Sequence, residues 1–271
     1  MSAARLRPAH RAGGLPGRAG APLRGLLTLA AVALAWEVAA RTVLTNRLVF
    51  VPLSAVAATL ATLLTSGTLW QHARVSLLEF ALGFGLAVVV GVALGTALGT
   101  SRALREWLDP VLSALHATPI IALGPLFIVW LGIGIASKVA VVFLSAVFPV
   151  LISTATGIAT VDRGLLEVGY AFCAGRRRVI ADILLPASLP SIVAGVRVGV
   201  SRGVVAVVVA ELFGARAGLG FLILAAGQTF DTNTLFAAVI VLAAGGAALV
   251  ELVKLLDRRL APWRSPVDGK E

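Results

Sequence analysis

The chain has 271 residues, of which 59% are apolar and 13% are charged, and its formal net charge at pH 7 is +10. A soluble domain carries roughly 25% charged residues, so this composition argues against a soluble protein and predicts one membrane domain whose surface mostly faces lipid. One cysteine and three scattered histidines exclude an intramolecular disulfide and a multi-cysteine zinc site.

The apolar runs are long enough to cross a bilayer as helices, which takes about 20 residues each. A first, shorter run at 25–40 contains Glu37. The five clear runs that follow are 80–100, 110–137, 139–161, 183–210 and 232–250. Because the runs are continuous rather than alternating, strands are excluded as the spanning element. The sequence therefore predicts an all-α integral membrane protein with six transmembrane helices.

Five arginines precede the first run, which ends in Ala39-Ala40, so a cleaved signal peptide is an alternative to a retained helix. Trp36-Glu37 and the missing small-x-small site favour the retained helix. The expected organisation is a basic cytoplasmic tail, a transmembrane domain and a second cytoplasmic tail, at 1–24, 25–260 and 261–271.

The positive charges predict the orientation of the chain. With six spans and the N-terminus inside, most of the 23 lysines and arginines fall in segments on the inner side. Cytoplasmic segments of membrane proteins carry such an excess, so both termini are expected in the cytoplasm. The cations lie at the ends and in the gaps of apolar runs, which fits anionic lipid headgroups better than a nucleic acid.

Shorter features complete the predicted membrane domain. Residues 53–66 and 217–230 are apolar and helical in pattern but too short to span, which is typical of interfacial or re-entrant helices. Pro119 and Pro125 are expected to bend the third span. Small residues recur every four positions on one face of the second span, where they allow close helix packing within or between subunits. They are Gly91, Gly95 and Gly99.

A more polar segment at 162–190 separates the fourth and fifth spans. Asp162 can cap the start of a helix, and apolar residues then recur at helical spacing. We interpret the segment as a short cytoplasmic helix, a turn and a second helix, with more order than a simple positive loop requires. The apolar positions are Leu165, Val168 and Phe172, and the prolines at the return to the membrane are Pro186 and Pro190.

This segment resembles the pattern Glu-Ala-Ala-x3-Gly-x9-Ile-x-Leu-Pro of the permease subunits of ABC importers. Cys173 stands where that family has a glycine, at a turn where a positive φ is easy for glycine. We therefore expect Gly175 to make the turn instead. The matching positions are Glu167 for Glu, Val168 and Gly169 for the two Ala, and Ile183, Leu185 and Pro186 for the end of the pattern.

The rest of the chain is similar to permeases of the nitrate, sulfonate and taurine type, over about residues 50–264. The resemblance implies a type I ABC importer-like transmembrane domain in the bacterial inner membrane. It also implies a second copy of the chain, two ATPase subunits and an extracytoplasmic solute-binding protein as partners, and a small anion such as a sulfonate, taurine or nitrate as solute. The segments that carry the resemblance are 77–99, 189–223 and 252–264.

The resemblance also implies that residues 162–187 dock on an ATPase subunit that binds the ATP. We call these residues the coupling segment. The sequence contains no G-x-x-x-x-G-K-[ST] motif, so it does not bind nucleotide in that way. We expect no cofactor in this chain. The expected ATPase-coupling residues are Leu165, Glu167, Val168, Gly169, Phe172, Cys173, Gly175, Arg177 and Pro186.

Two arginines lie within the fifth predicted span. A cation in a membrane is costly and faces either the protein interior or a water-filled path. Arg202 is the deeper one and Arg197 is expected near the inner interface. A structural ion pair of Arg202 with Glu79 or Glu211 is the alternative to solute contact. The candidate residues of the translocation path are Arg202, Arg197 and Glu79.

Two other functions are weighed against the permease. Ser201 lies in a G-x-S-x-G motif at 199–203, which suggests an intramembrane serine hydrolase, although the nucleophile of that motif sits on a strand-to-helix turn. An ion-driven secondary transporter would carry buried carboxylates in mid-span, whereas Glu79 and Asp109 lie near span ends. We therefore expect a permease without enzymatic activity.

Overall fold

The structure, a computed structural model, describes residues 20–44 and 46–260. Most of both predicted tails, residues 1–19 and 261–271, lies outside the described residues. The first helix begins at Gly20, inside the range that was assigned to the N-terminal tail. Within the described residues every regular element is helical and none is a strand, which confirms the predicted all-α class.

Ten α-helices follow one another in the described part of the chain. A 3₁₀ turn, Ile120–Leu123, joins the fourth helix to the fifth, and the eighth helix contains a π-turn at Val179–Leu184. The helices are α1 Gly20–Thr42, α2 Leu53–Thr65, α3 Thr68–Thr100, α4 Arg102–Ala117, α5 Gly124–Leu131, α6 Ile135–Ala159, α7 Arg163–Ala171, α8 Arg176–Leu212, α9 Leu219–Gln228 and α10 Thr232–Leu260.

Among the described residues, five helices are long and apolar enough to cross a membrane: α1, α3, α6, α8 and α10. The predicted third span is a bent pair instead, with an angle of 72° between Arg102–Leu115 and Ile120–Leu131, and it makes a sixth span if the pair crosses as one. Pro119 lies at the break, as expected. Pro125 lies in the first turn of α5, where a proline is tolerated, so the prediction that it bends the span is wrong.

The chain divides into two compact units, residues 1–55 and 56–271. In the first unit, Glu37 of α1 accepts hydrogen bonds from Ser54 N at 3.0 Å and from Ser54 Oγ at 2.8 Å. Trp36 stacks on Phe50 with 5.3 Å between ring centroids. These contacts tie the end of α1 to the chain that leads into α2, and they account for an acid in an apolar run.

The core of the second unit is formed by three long helices, with α6 packed against both α3 and α8. Glycines on α3 face α6 so closely that a Cβ would collide with it: at Gly95, the added atom would lie 2.6 Å from Thr154 Cβ. The predicted small-residue face therefore packs within the subunit. The α3 glycines in such contact are Gly83, Gly91, Gly95 and Gly99.

A second series of glycines brings α8 close to its neighbours. A Cβ at Gly195 would lie 2.6 Å from Ser153 Cβ on α6, and one at Gly203 would lie 2.9 Å from the ring of Phe80 on α3. Gly199, between them, faces the carbonyl of Ala146. Since these contacts leave no room for side chains, α3, α6 and α8 form one closely packed body.

The two short apolar segments are helices, as the sequence predicts. With 13 residues, α2 nearly fills the predicted 53–66, whereas α9 has 10 residues and is shorter than the predicted 217–230. The start of α9 is held in an apolar cluster with α3 and with α10, formed by Leu69, Leu219, Leu222 and Ala238. As a result, α9 lies beside the start of α3. With 10 residues it is too short to cross a membrane as a separate span.

Replacement of Gly95 by alanine tests this close packing. Gly95→Ala should lower the free energy of unfolding by about 1–3 kcal/mol, because the added methyl group forces α3 away from α6. Gly85→Ala is the matched control, since a Cβ at Gly85 on the same helix meets nothing within 4 Å. Thermal unfolding of the purified protein in detergent measures both. Equal stability of the two variants would contradict the packing.

Candidate functional site

The coupling segment begins with the cap that the sequence predicts. Asp162 precedes α7, and its side chain accepts a hydrogen bond from Gly164 N at 2.9 Å. Such a bond satisfies one of the first N–H groups of a helix, which have no partner inside the helix. The start of α7 is therefore fixed by local chemistry.

The end of α7 corrects the predicted turn. Cys173 itself adopts a positive φ of 54°, whereas Gly175 is extended, with φ −65° and ψ 157°. Two hydrogen bonds close the helix, from Ala174 N to Gly169 O at 3.0 Å and from Cys173 N to Tyr170 O at 2.9 Å. This is the Schellman pattern, which places its left-handed residue at position 173. The hydrogen bonds that end α7 thus place the turn at Cys173, which adopts the left-handed conformation. The expectation that Gly175 makes the turn is therefore wrong.

The inner face of α7 packs on the first turns of α8. Gly169 is buried, and a Cβ there would lie 2.5 Å from Ile183 Cδ1. Beside it, Ile158, Val179 and Leu184 form a buried apolar cluster, with Leu166 packed against it. The two arms of the coupling segment are therefore held against each other and against the end of α6.

The outer face of the coupling segment is exposed and largely apolar. Phe172 has 84% of its surface accessible, and Leu165, Val168 and Tyr170 are also exposed beside Glu167. Arginines 176–178, including the predicted Arg177, are exposed at the start of α8. The segment thus presents apolar anchors and charges on one surface.

Two of the predicted coupling residues have a structural role of their own. Gly169 lies in the packed interior, and Pro186 follows the π-turn Val179–Leu184 in the first turn of the regular part of α8. Pro186 has no N–H group to donate, and a π-turn is one way for a helix to accommodate a missing bond. Pro186 therefore has a structural reason to be where it is.

The predicted path residues differ in their exposure. Arg202 is exposed on α8, Arg197 is half-buried one turn and a half earlier, and Glu79 on α3 is only 3% exposed. Glu211 accepts hydrogen bonds from Ser76 Oγ and from Gly220 N, both at 2.5 Å. Among the described residues neither Glu79 nor Glu211 pairs with Arg202, so the expected ion pair is wrong.

Sequence reasoning missed Lys138, which was counted as an outer-side cation between two spans. It is 1% exposed, and its Nζ donates to Ile133 O at 3.1 Å and to Gly214 O at 2.6 Å. The signal available was a single lysine between two long apolar runs, 110–137 and 139–161. That signal indicates a buried cation but does not identify its partners.

Ser201 lies in the middle of α8, and its hydroxyl donates to Arg197 O at 3.4 Å. A nucleophile elbow needs a sharp turn between a strand and a helix, whereas the backbone here is a regular helix. Gly199 and Gly203 are explained by their contacts with α6 and α3. The geometry therefore does not support the serine hydrolase.

Comparisons with known proteins agree with the permease resemblance. Residues 87–262 match the family described as binding-protein-dependent transport system inner membrane component. A putative aliphatic sulfonates transport permease protein of Bacillus subtilis is 35% identical, over 91% of this chain and 90% of that protein. The taurine transport system permease protein of Escherichia coli is 34% identical, over 74% and 73%. A riboflavin transport system permease protein of Chloroflexus aurantiacus is 41% identical, over 74% and 75%.

Among solved structures, the fold is similar to a chain of the MetNI methionine ABC transporter in an inward-facing conformation. The TM-score is 0.60, with 19% sequence identity, over 70% of this chain and 92% of that chain. At this identity the similarity shows the fold alone, which is the predicted type I importer transmembrane fold. Neither the hydrolase nor the ion-driven transporter finds support in these comparisons.

Replacement of Cys173 by glycine tests the turn. A left-handed conformation costs an L-residue roughly 1–2 kcal/mol and glycine almost nothing, so Cys173→Gly should slow hydrogen exchange of the amides at 173 and 174. Gly175→Ala is the control, because its extended conformation suits any residue and a Cβ there meets nothing within 4 Å. Exchange measured by mass spectrometry on peptides from 163–178 gives the result. Faster exchange in Gly175→Ala together with no change in Cys173→Gly would place the turn at Gly175.

Proposed function

Because the chain belongs to the family of inner membrane components of binding-protein-dependent transport systems, we propose that it forms the solute path of an ATP-driven importer. In this proposal a separate ATPase subunit binds the coupling segment and, by moving it, opens and closes the path. The sequence has no P-loop, so the nucleotide belongs to the partner subunit.

The observation that carries this proposal is the rigid coupling segment with an exposed docking surface. A segment that transmits domain closure has to be held firmly, because a loose loop would absorb the motion. Here the Asp162 cap, the Schellman end at Cys173 and the contact of Gly169 with Ile183 fix the segment. Phe172, Leu165 and Val168 are large apolar side chains left exposed, as suits residues that another protein covers.

The arginines support a cytoplasmic position for this surface. Three exposed arginines open α8 beside it, and an excess of positive charge is typical of cytoplasmic segments. An ATPase subunit in the cytoplasm could then reach the segment directly. On this orientation the opposite ends of α3 and α8, where α9 lies, face outward, toward an extracytoplasmic solute-binding protein.

We further propose that the path lies between two copies of the chain. Arg202, Val198 and Val205 are exposed on one side of α8, although other sides of α8 are packed against α6, α3, α9 and α10. An arginine in a membrane span has to face protein or water. A second copy related by a two-fold axis would place the two α8 faces around a common path.

The proposed solute is a small organic anion. Two of the relatives are named for aliphatic sulfonates and for taurine, and both classes carry an anionic sulfonate group. An exposed guanidinium at Arg202 supplies the matching charge and several hydrogen-bond donors. The riboflavin permease is also similar, so transport assays should include a flavin as the competing solute.

Charge reversal at Glu167 tests the coupling. Glu167→Arg should lower ATP-dependent uptake in proteoliposomes by roughly tenfold or more. The change removes the acid of the docking surface and adds a positive charge to a surface that already carries the exposed arginines 176–178. Folding should be unaffected, since Glu167 is exposed. Glu106→Arg on α4 is the matched control, an exposed acid with the same charge change away from the segment. Full uptake in Glu167→Arg would argue against the docking surface.

Neutralisation of Arg202 tests the solute class. Arg202→Gln should weaken uptake of taurine or an alkanesulfonate by about 10- to 100-fold, which corresponds to loss of a hydrogen bond to a charged group. Arg202→Lys should retain part of the activity. Arg74→Gln is the control, since Arg74 is exposed on α3. Unchanged transport of the anion by Arg202→Gln would remove Arg202 from the path.

A further inference from the structure

Five polar side chains surround the start of α9, away from both the coupling segment and the exposed face of α8. They come from three different long helices, and four of them are buried: Glu211 is 0%, Lys138 1%, Glu79 3% and Ser76 5% exposed. We call this set the polar cluster. Its members are His72, Ser76 and Glu79 of α3, Lys138 of α6 and Glu211 of α8.

Three members of the polar cluster bind three successive backbone N–H groups at the start of α9. Gly218 N donates to His72 Nδ1 at 3.1 Å, Leu219 N donates to Ser76 Oγ at 2.7 Å, and Gly220 N donates to Glu211 Oε2 at 2.5 Å. The first N–H groups of a helix have no partner inside it, and an anion there is favoured by the helix dipole. The start of α9 is therefore capped entirely by other helices.

The close approach of Glu211 requires glycine in the chain that it caps. Gly218 has a φ of 124°, and a Cβ at this position would overlap the Glu211 carboxylate. A Cβ at Gly220 would lie 2.6 Å from Val208 O. The sequence Gly-Leu-Gly thus lets backbone N–H groups reach the carboxylate, while Leu219 enters the apolar cluster with Leu69 and Leu222.

Lys138 fixes the opposite side of the same region. Its Nζ bridges the carbonyl of Ile133, just before α6, and the carbonyl of Gly214, just after α8. The loop from α8 to α9 is therefore held at both ends. Lys138 binds the Gly214 carbonyl at its start, and Glu211 accepts from the Gly220 N–H at its end.

The two acids of the polar cluster lie in the same buried site, because Ser76, which donates to Glu211, is one turn before Glu79 on α3. Two carboxylates that share a buried site do not both stay charged, so one of the two carries a proton. Both oxygens of Glu211 already accept bonds, from Ser76 and Gly220, whereas Glu79 Oε2 is buried and accepts none among the described residues. Glu79 is thus the better donor and Glu211 the acceptor.

Charge balance leads to the same assignment. A buried charge is stable only when another charge compensates it. His72 accepts a bond at Nδ1, as a neutral imidazole does. One anion at Glu211 and one cation at Lys138 then cancel, provided that Glu79 is neutral.

We propose that a protonated Glu79 donates to Glu211 and thereby orients the carboxylate that holds α9 on α3 and α8. Glu79, Ser76 and His72 are then positioning residues, and α9 moves together with the outer ends of α3 and α8 during transport. The rigid-body part of this inference rests on the proposed function, whereas the proton on Glu79 does not.

Hydrogen exchange of the amides at 218–222, measured on the full-length chain in lipid nanodiscs, tests the proton. Glu79→Gln keeps a neutral donor toward Glu211 and should leave exchange unchanged. Glu79→Leu removes the donor, and Glu211→Gln removes an acceptor and the anion. Each should speed exchange by about tenfold or more, as expected for loss of a hydrogen bond to a charged group.

Two further variants keep this test decisive. Ser76→Ala removes one cap with little change in volume and should give an intermediate effect if the larger replacements fail to fold. Glu106→Leu, at an exposed acid of α4, should have no effect. If Glu79→Gln speeds exchange as much as Glu79→Leu does, or if Glu211→Gln leaves exchange unchanged, the assigned proton is wrong.

A disulfide tests whether α9 moves with α3. Ala73 and Leu222 contribute to the same apolar cluster, so cysteines are introduced at both positions with Cys173 retained, and the fraction linked after oxidation is measured by labelling of free thiols. The two single-cysteine variants control for cross-links through Cys173. Uptake of taurine in proteoliposomes should be the same before and after cross-linking. Inhibition that is reversed by reductant would overturn the rigid-body part. Absence of uptake by the native chain would instead count against the proposed solute or function, and the exchange result would stand by itself.

Discussion

The close contact of α6 with α3 on one side and α8 on the other is the constraint on which the rest of the structure depends. Lipid supplies no hydrophobic force between helices, so their association relies on close backbone approach and on polar contacts. Glycines provide that approach on both sides of α6. Because the three helices pack as one body, residues at either end of it are held in fixed relative positions.

The helix α8 links the two ends of this body. It runs without interruption over 37 residues, which corresponds to about 55 Å at 1.5 Å per residue. Its first turns pack on α7 through Ile183 and Gly169, and its last residues include Glu211, which caps α9. A displacement at the coupling segment therefore has a direct mechanical route to the far side of the packed body, with the π-turn at Val179–Leu184 as the one irregular point in the described length of α8.

Local features of this structure could be predicted from sequence, and long-range ones could not. The Asp162 cap and the break at Pro119 follow from chemistry between near neighbours, and the glycine face of α3 follows from spacing. The turn at Cys173 was missed because the hydrogen bonds that end the helix, not the residue type, decide its position. The polar cluster was missed because several of its bonds join residues as far apart as Ser76 and Leu219, and one sequence contains no signal for such a pairing.

The free-energy cost of a charge within a membrane explains why both Glu79 and Arg202 were predicted to line the path. A charged residue in a span has to find water or a compensating group, and the sequence gives no indication of which. The structure separates the two solutions by exposure: Glu79 is buried against Glu211 near Lys138, whereas Arg202 remains on an uncovered face of α8. Glu79 is enclosed within this chain and so belongs to its architecture. Arg202 has a side chain that only water, solute or a second chain can satisfy, and a residue in that position is suited to a transport path.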